Sequence, residues 1–195
     1  MTIGAARVLS FALVFALAGG PASKAQERWL RPGPVAPRVE LVDQDNQRRR
    51  FDELFRDRPV LVSFFFTGCR TVCPTQTAQL SMLQARIDDL GLPLPARPLL
   101  ISVSLDPYGD TPQSIRDYAG RFGIGLGDDR GWLMLTGSFE DLSQIWRSFD
   151  QDSGDPTDHS ALFWVGQPAN KRWTRADVTS DPSTLLALLA EEAAR

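Results

Sequence analysis

Two cysteines and a single histidine are the soft and imidazole ligands of this chain besides methionine, and the cysteines stand together as Cys69-Arg-Thr-Val-Cys73-Pro74. His159 follows far downstream, flanked by Asp158 and Ser160. Two thiolates and an imidazole make a donor set suited to copper or zinc, because soft sulfur favours Cu(I) and zinc while imidazole accepts Cu(II) as well. A three-residue spacer leaves both sulfurs able to converge on one ion, and it equally permits a strained disulfide. If the chain holds a transition metal at one site, almost no other choice of strong ligands exists.

The elements that must hold these side chains follow from hydrophobic patterning. Val60 to Phe66 is nearly continuous in apolar residues, as a strand covered on both faces must be, and is the best candidate for a central strand. Cys69 then falls in the turn after it. Pro74 suits the first position of a helix, where a missing N–H costs nothing, and Leu80, Leu83, Ile87 and Leu90 recur at helical spacing over about Thr75 to Leu90. Cys73 would stand just before that helix, whose unpaired N–H groups and dipole favour a thiolate. Leu99 to Leu105 reads as the next buried strand, and Asp110-Thr111-Pro112 supplies a cap and a proline to open a helix through about Phe122.

Further along, Trp132 to Leu135 reads as a short strand, and Ser138 to Asp141 as the capping arrangement of a helix that reaches about Phe149. Ala161 to Val165 is another strand, joined by a turn at Gln167 to Asn170 to a partner at Lys171 to Thr174. Asp181-Pro182 opens a last helix with Leu185, Leu186, Leu188 and Leu189 on its buried side. Strands alternating with helices define an α/β sheet. Phe64, Phe65, Phe66, Trp132, Phe163 and Trp164 fall in these strands and are expected to pack the core.

At 195 residues, 43% hydrophobic and 23% charged, the chain has the composition of one ordinary globular domain. A net charge of -3 and the lack of a polybasic run give no field for nucleic acid or anionic lipid. Arg7, the apolar run Val8 to Ala18, the break Gly19-Gly20-Pro21 and the small-x-small Ser23-Lys24-Ala25 read as a cleaved export signal over residues 1–25. That run is roughly half of the ~20 residues needed to span a bilayer. Residues 26–37, rich in proline and arginine, read as a flexible lead-in, and the ordered domain is expected over 38–195. Export, to the periplasm in a bacterium, would place the thiols where a plain disulfide is a real alternative to metal.

The stretches from Phe64 through Cys69 and Cys73 to Thr77, Ser102 to Pro107, Asp110-Thr111-Pro112, Trp132 to Gly137 and Asp158-His159-Ser160 together resemble, in this order, the Sco/SenC family of copper proteins, with the likeness running from about Val39 to Val165. The resemblance implies a thioredoxin-like fold, a central mixed sheet flanked by helices, that binds one copper ion per chain, Cu(I) or Cu(II), through Cys69, Cys73 and His159. It implies a copper metallochaperone that helps assemble the dinuclear copper site of cytochrome c oxidase, by delivering copper or by reducing cysteines of the receiving subunit. The expected partner is that copper-receiving subunit or another copper chaperone, and the expected state a monomer with at most weak membrane association. Asp106 matches an acidic residue of the family, with support of the site or partner docking open beside a plain turn or capping role.

A thiol–disulfide oxidoreductase acting through Cys69 and Cys73 without metal is the competing reading. A peroxidase is disfavoured, because the place three residues ahead of each cysteine, where a threonine would be expected, is held by Phe66 and Arg70. A glutamate arranged as in zinc hydrolases is also missing. Arg48 to Arg50 read as a solvated turn, with a docking patch as the alternative.

Overall fold

The computed structural model describes residues 33–56, 58–93, 96–151, 161–167 and 172–193. A hairpin of β1 (Glu40–Asp43) and β2 (Arg48–Arg50) leads through a 3-10 turn at Phe51–Phe55 into β3 (Val60–Phe65) and α1 (Val72–Asp89). Then follow β4 (Leu99–Ser104), α2 (Pro112–Gly120), β5 (Trp132–Thr136) and α3 (Phe139–Ser148). The strands β6 (Leu162–Gln167) and β7 (Arg172–Asp177) and the helix α4 (Pro182–Ala193) complete the order. The strands form one mixed sheet in the order β2-β1-β5-β4-β3-β6-β7. β3, β4 and β5 are mutually parallel, while β1, β6 and β7 add antiparallel.

Every residue of β3, β4 and β5 is buried, which is why their sequences run apolar without alternation. The pleat nevertheless sorts them. Leu61, Phe65, Leu100, Trp132 and Met134 face one layer, packed by Leu80, Leu83 and Ile87 of α1, by Ile115 and Tyr118 of α2 and by Leu185, Leu188 and Leu189 of α4. Val62, Phe64, Ile101, Val103 and Leu135 face the other, packed by Leu142, Ile145 and Trp146 of α3 and by Phe51, Phe55 and Phe149. On the first face Ser63 and Ser102 hydrogen-bond to each other at 2.8 Å, and Trp132 Nε1 donates to Ser102 at 3.0 Å, so these interior hydroxyls are satisfied.

Several boundaries differ from the sequence expectation for local reasons. α1 begins at Val72, so Cys73 lies inside its first turn and Pro74 is the third helical residue, still where no i−4 hydrogen bond is lost. Leu90 caps that helix and is half exposed rather than part of its buried stripe. α2 stops at Gly120, short of Phe122. Gln167 belongs to β6, where it pairs with Arg172, and β7 extends to Asp177. The rest of that expected turn, residues 168–170, lies outside the described residues, as does the export signal. Leu186 is only partly buried.

Arg48 to Arg50 form an edge strand, not a turn. Arg49 Nε donates to the fully buried Asp43 at 2.7 Å and its Nη1 to Asp128 at 2.7 Å; Arg48 pairs with Glu40 and Arg50 with Asp52. Each of the three thus has a neighbouring carboxylate. Among the described residues no helix is long and apolar enough to cross a membrane.

Candidate thiol and metal site

Parallel pairing of β3 with β4, which sets Phe65 opposite Ser104, brings the carboxyl ends of both strands level. The loops that leave them therefore emerge side by side, at the end of an α/β sheet where ligands usually bind. The first loop, Phe66 to Thr71, carries Cys69; the second, Leu105 to Thr111, carries Asp106 and Asp110.

Asp110 joins the two. It is 2% exposed, and its Oδ1 accepts from the Thr67 N–H at 2.9 Å and the Thr67 hydroxyl at 2.7 Å while Oδ2 accepts from Ser104 Oγ at 2.6 Å. Burial pushes its carboxyl above the usual range despite those hydrogen bonds. The sequence placed a cap within Asp110-Thr111-Pro112 without choosing the residue; Thr111 takes that position, exchanging hydrogen bonds with Ser114 in a capping box ahead of Pro112. The Thr111–Ser114 spacing was a signal that the cap was already filled and Asp110 was left for another role. Asp106 makes the turn, its Oδ1 accepting from the N–H groups of Tyr108 at 3.1 Å and Gly109 at 2.9 Å. A Cβ at Gly109 would meet Asp106 Oδ2, so a side chain there would displace the carboxylate that holds the turn.

Asp110→Ala should therefore strip acceptors from three donors at once. The expected cost is about 2 kcal/mol or more, read as a shift in urea midpoint, together with faster alkylation of Cys69 as its loop loosens. Unchanged stability and thiol reactivity would deny Asp110 its clamp.

Cys69 and Cys73 are unbridged thiols, 7% and 0% exposed, hydrogen-bonded side chain to side chain. Their environments split their acidities. For Cys69, burial works to raise the pKa but is outweighed by hydrogen bonds from the Cys73 thiol, from the Thr71 and Cys73 backbone and from the Thr71 hydroxyl, 3.6 Å from the sulfur, so the net shift is downward. Burial pushes the Cys73 thiol up to about 12, with the hydrogen bond to Cys69 adding to the rise. The helix N-terminus led to the opposite expectation, of an easy thiolate at Cys73. Full burial in the first turn of α1 overrides the dipole.

This asymmetry is open to measurement in the reduced, metal-free protein. Iodoacetamide should label Cys69 first, with an apparent pKa below that of an ordinary thiol, and leave Cys73 unmodified at neutral pH when peptides are weighed by mass spectrometry. Equal labelling of both sulfurs would contradict the geometry.

The structure thus brings together two of the three expected ligands. His159 lies outside the described residues, and among those described no group of three or more His, Cys, Asp or Glu side chains is placed to hold a metal. Beneath the pair, Tyr118 of α2 hydrogen-bonds to Thr77 of α1 at 2.7 Å and ties the helix that carries Cys73 to its neighbour.

A thioredoxin-like sheet with Cys-x3-Cys at the junction of a parallel strand and a helix defines the class of this protein as a dithiol or metal-site member of that fold. The SCO1/SenC family pattern matches residues 30–194, and the chain belongs to that family. It is 33% identical over 58% of its length to the mitochondrial SCO2 homolog of Bos taurus, and 31% identical over 57% to the SCO1 homolog of Bacillus subtilis. The matched segments span 43% and 58% of those relatives, so this chain accounts for about half of the length of each. The structure of Bradyrhizobium japonicum ScoI with copper bound superposes with a TM-score of 0.65 at 22% identity, covering 81% of this chain and 99% of that one. That likeness establishes the shared fold.

Proposed function

We propose that this protein binds one copper ion through Cys69, Cys73 and His159 and acts as a metallochaperone in assembly of the dinuclear copper site of cytochrome c oxidase. The observation that carries this reading is the pair of unbridged, mutually hydrogen-bonded thiols at the strand–helix junction of an SCO1/SenC chain. Two adjacent sulfurs suit Cu(I), and an added imidazole would let the same site keep Cu(II). The donor chemistry of the described residues fits the ion, with His159 supplied from 152–160, the segment before β6. A copper-bound structure among the relatives of the same fold supports the same reading.

The proposed role is delivery rather than turnover, after export from the cytoplasm by the signal at residues 1–25. The receiving protein is the copper subunit of the oxidase or another chaperone. Titration of the reduced, signal-free protein with Cu(I) against a competing chelator tests this: one equivalent should bind tightly, and saturation at zero or at two per chain would refute the site.

A specific observation favours a second reading. Cys69 lines the surface with a lowered pKa while Cys73 waits behind it, which is the arrangement of an attacking and a resolving thiol. Reduction of partner cysteines by this pair needs no metal and would survive His159→Ala.

A further inference from the structure

Cys69 stands in the wall of a cleft of about 400 Å³ that continues across the surface over Pro74, Tyr118 and Phe122. Two cations flank it, Arg70 from the cysteine loop and Arg121 from the end of α2. Arg121 lies over the Tyr118 ring, 5.1 Å from its centroid, and its Nη2 reaches the Thr67 carbonyl at 3.5 Å, so it is aimed along the cleft beside the cysteine loop. Among the described residues neither arginine is paired with a carboxylate. Arg48, Arg49 and Arg50, by contrast, each hold an acidic neighbour. In a chain of net charge -3, the outer thiol is thus flanked by two cations that have no carboxylate partner among the described residues, over an aromatic floor.

That combination selects an occupant. The volume lies at the low end of the roughly 300–1,000 Å³ of small-ligand sites, enough for a few side chains of an extended chain but not for the face of a helix. The arginine forks match carboxylates, and the aromatic rings accept the backbone or apolar stems between them. We infer that this cleft docks an extended, acidic, cysteine-bearing segment of a partner protein, whose carboxylates meet Arg70 and Arg121 while its sulfur meets Cys69. The inference rests on the site described above, with Cys69 as its outer thiol, and adds the chemistry of what approaches it.

The test uses three blocked peptides with a central cysteine carried as a mixed disulfide with pyridine-2-thiol, and flanked by glutamate, glutamine or lysine on both sides. The Cys69 thiolate attacks the peptide sulfur; the new Cys69–peptide disulfide forms as the peptide–pyridyl bond breaks, and pyridine-2-thione leaves with the electron pair and is read by absorbance. Cys73 then displaces the peptide thiol from Cys69 and closes the Cys69–Cys73 disulfide, so the probe itself is the oxidant. The acidic peptide should react about tenfold or more faster than the lysine peptide, as electrostatic steering allows. That preference should fall to within about twofold in Arg70→Gln/Arg121→Gln and in 1 M salt, where the Debye length is only about 3 Å. Both arginines are exposed, and each peptide rate is divided by the rate of the same protein with the neutral dipyridyl disulfide, so that any change in the intrinsic reactivity of Cys69 cancels and the ratio reports docking alone.

An acidic preference that is absent, or that persists in the double variant, overturns the docking inference and leaves the thiol site standing. Failure of native reduced protein to react even with dipyridyl disulfide would overturn the site and the inference with it.

Discussion

Cys73→Ser should lower Cu(I) affinity by more than about a hundredfold, the larger of the two strongest effects expected of this structure. Loss of a partner that merely orients a ligand typically costs 10–100-fold, and removing one of only two sulfurs must cost more. The position is fully buried in the first turn of α1, and serine offers a hard oxygen that serves Cu(I) poorly. The substituted hydroxyl has almost the same shape, so folding should survive and the loss should be specific to the metal. Competition with a Cu(I) chelator, beside a urea melt of the same protein, reads both quantities. An affinity within threefold of the parent would place the copper elsewhere.

Phe149→Ala should be the most damaging single truncation for stability, at about 3–5 kcal/mol. Its ring lies 6.2 Å from Phe51, 5.9 Å from Phe64, 5.8 Å from Trp164 and 5.5 Å from Trp173, mostly edge to face, and is completely buried. It joins the 3-10 turn, β3, β6 and β7 at the end of α3, so no neighbouring side chain can close the void without moving two strands. Such aromatic contacts add about 0.5–1.5 kcal/mol per pair beyond area burial. Phe149→Leu, which fills part of the space, should cost distinctly less. Urea unfolding of the two variants checks the order, and an alanine cost under about 1 kcal/mol would contradict the packing described.

The elements that bury a continuous apolar face were readable in the sequence, because burial on both sides leaves a signature that needs no partner to interpret. β3, β4 and β5 are of this kind, and the α3 cap at Ser138 was legible from its own residue type and spacing. The opening hairpin was not, since Arg48 to Arg50 has no apolar pattern; it is a strand through its pairing with β1, with Glu40, Asp43 and Asp52 beside its three charges. Residue type and spacing identified Cys69 and Cys73 as a pair. They did not reveal which sulfur is the more acidic, because that depends on how deep Cys73 sits against the sheet. The bond of Asp110 to the cysteine loop, and Arg121 altogether, escaped notice for a related reason: each acts on that loop from far along the chain, through contacts that only the parallel register of β3 and β4 and the packing of α2 create.

The central claim is that the thiol pair and His159 share one copper ion, and the most direct test is absorption and EPR spectroscopy of the reduced protein titrated with Cu(II), run beside His159→Ala. The account predicts intense sulfur-to-copper charge-transfer bands that saturate at one copper per chain and are lost or shifted when the imidazole is removed. Bands identical in the two proteins would take His159 out of the site, and no bands in either, with the dithiol simply oxidised, would contradict the copper reading outright.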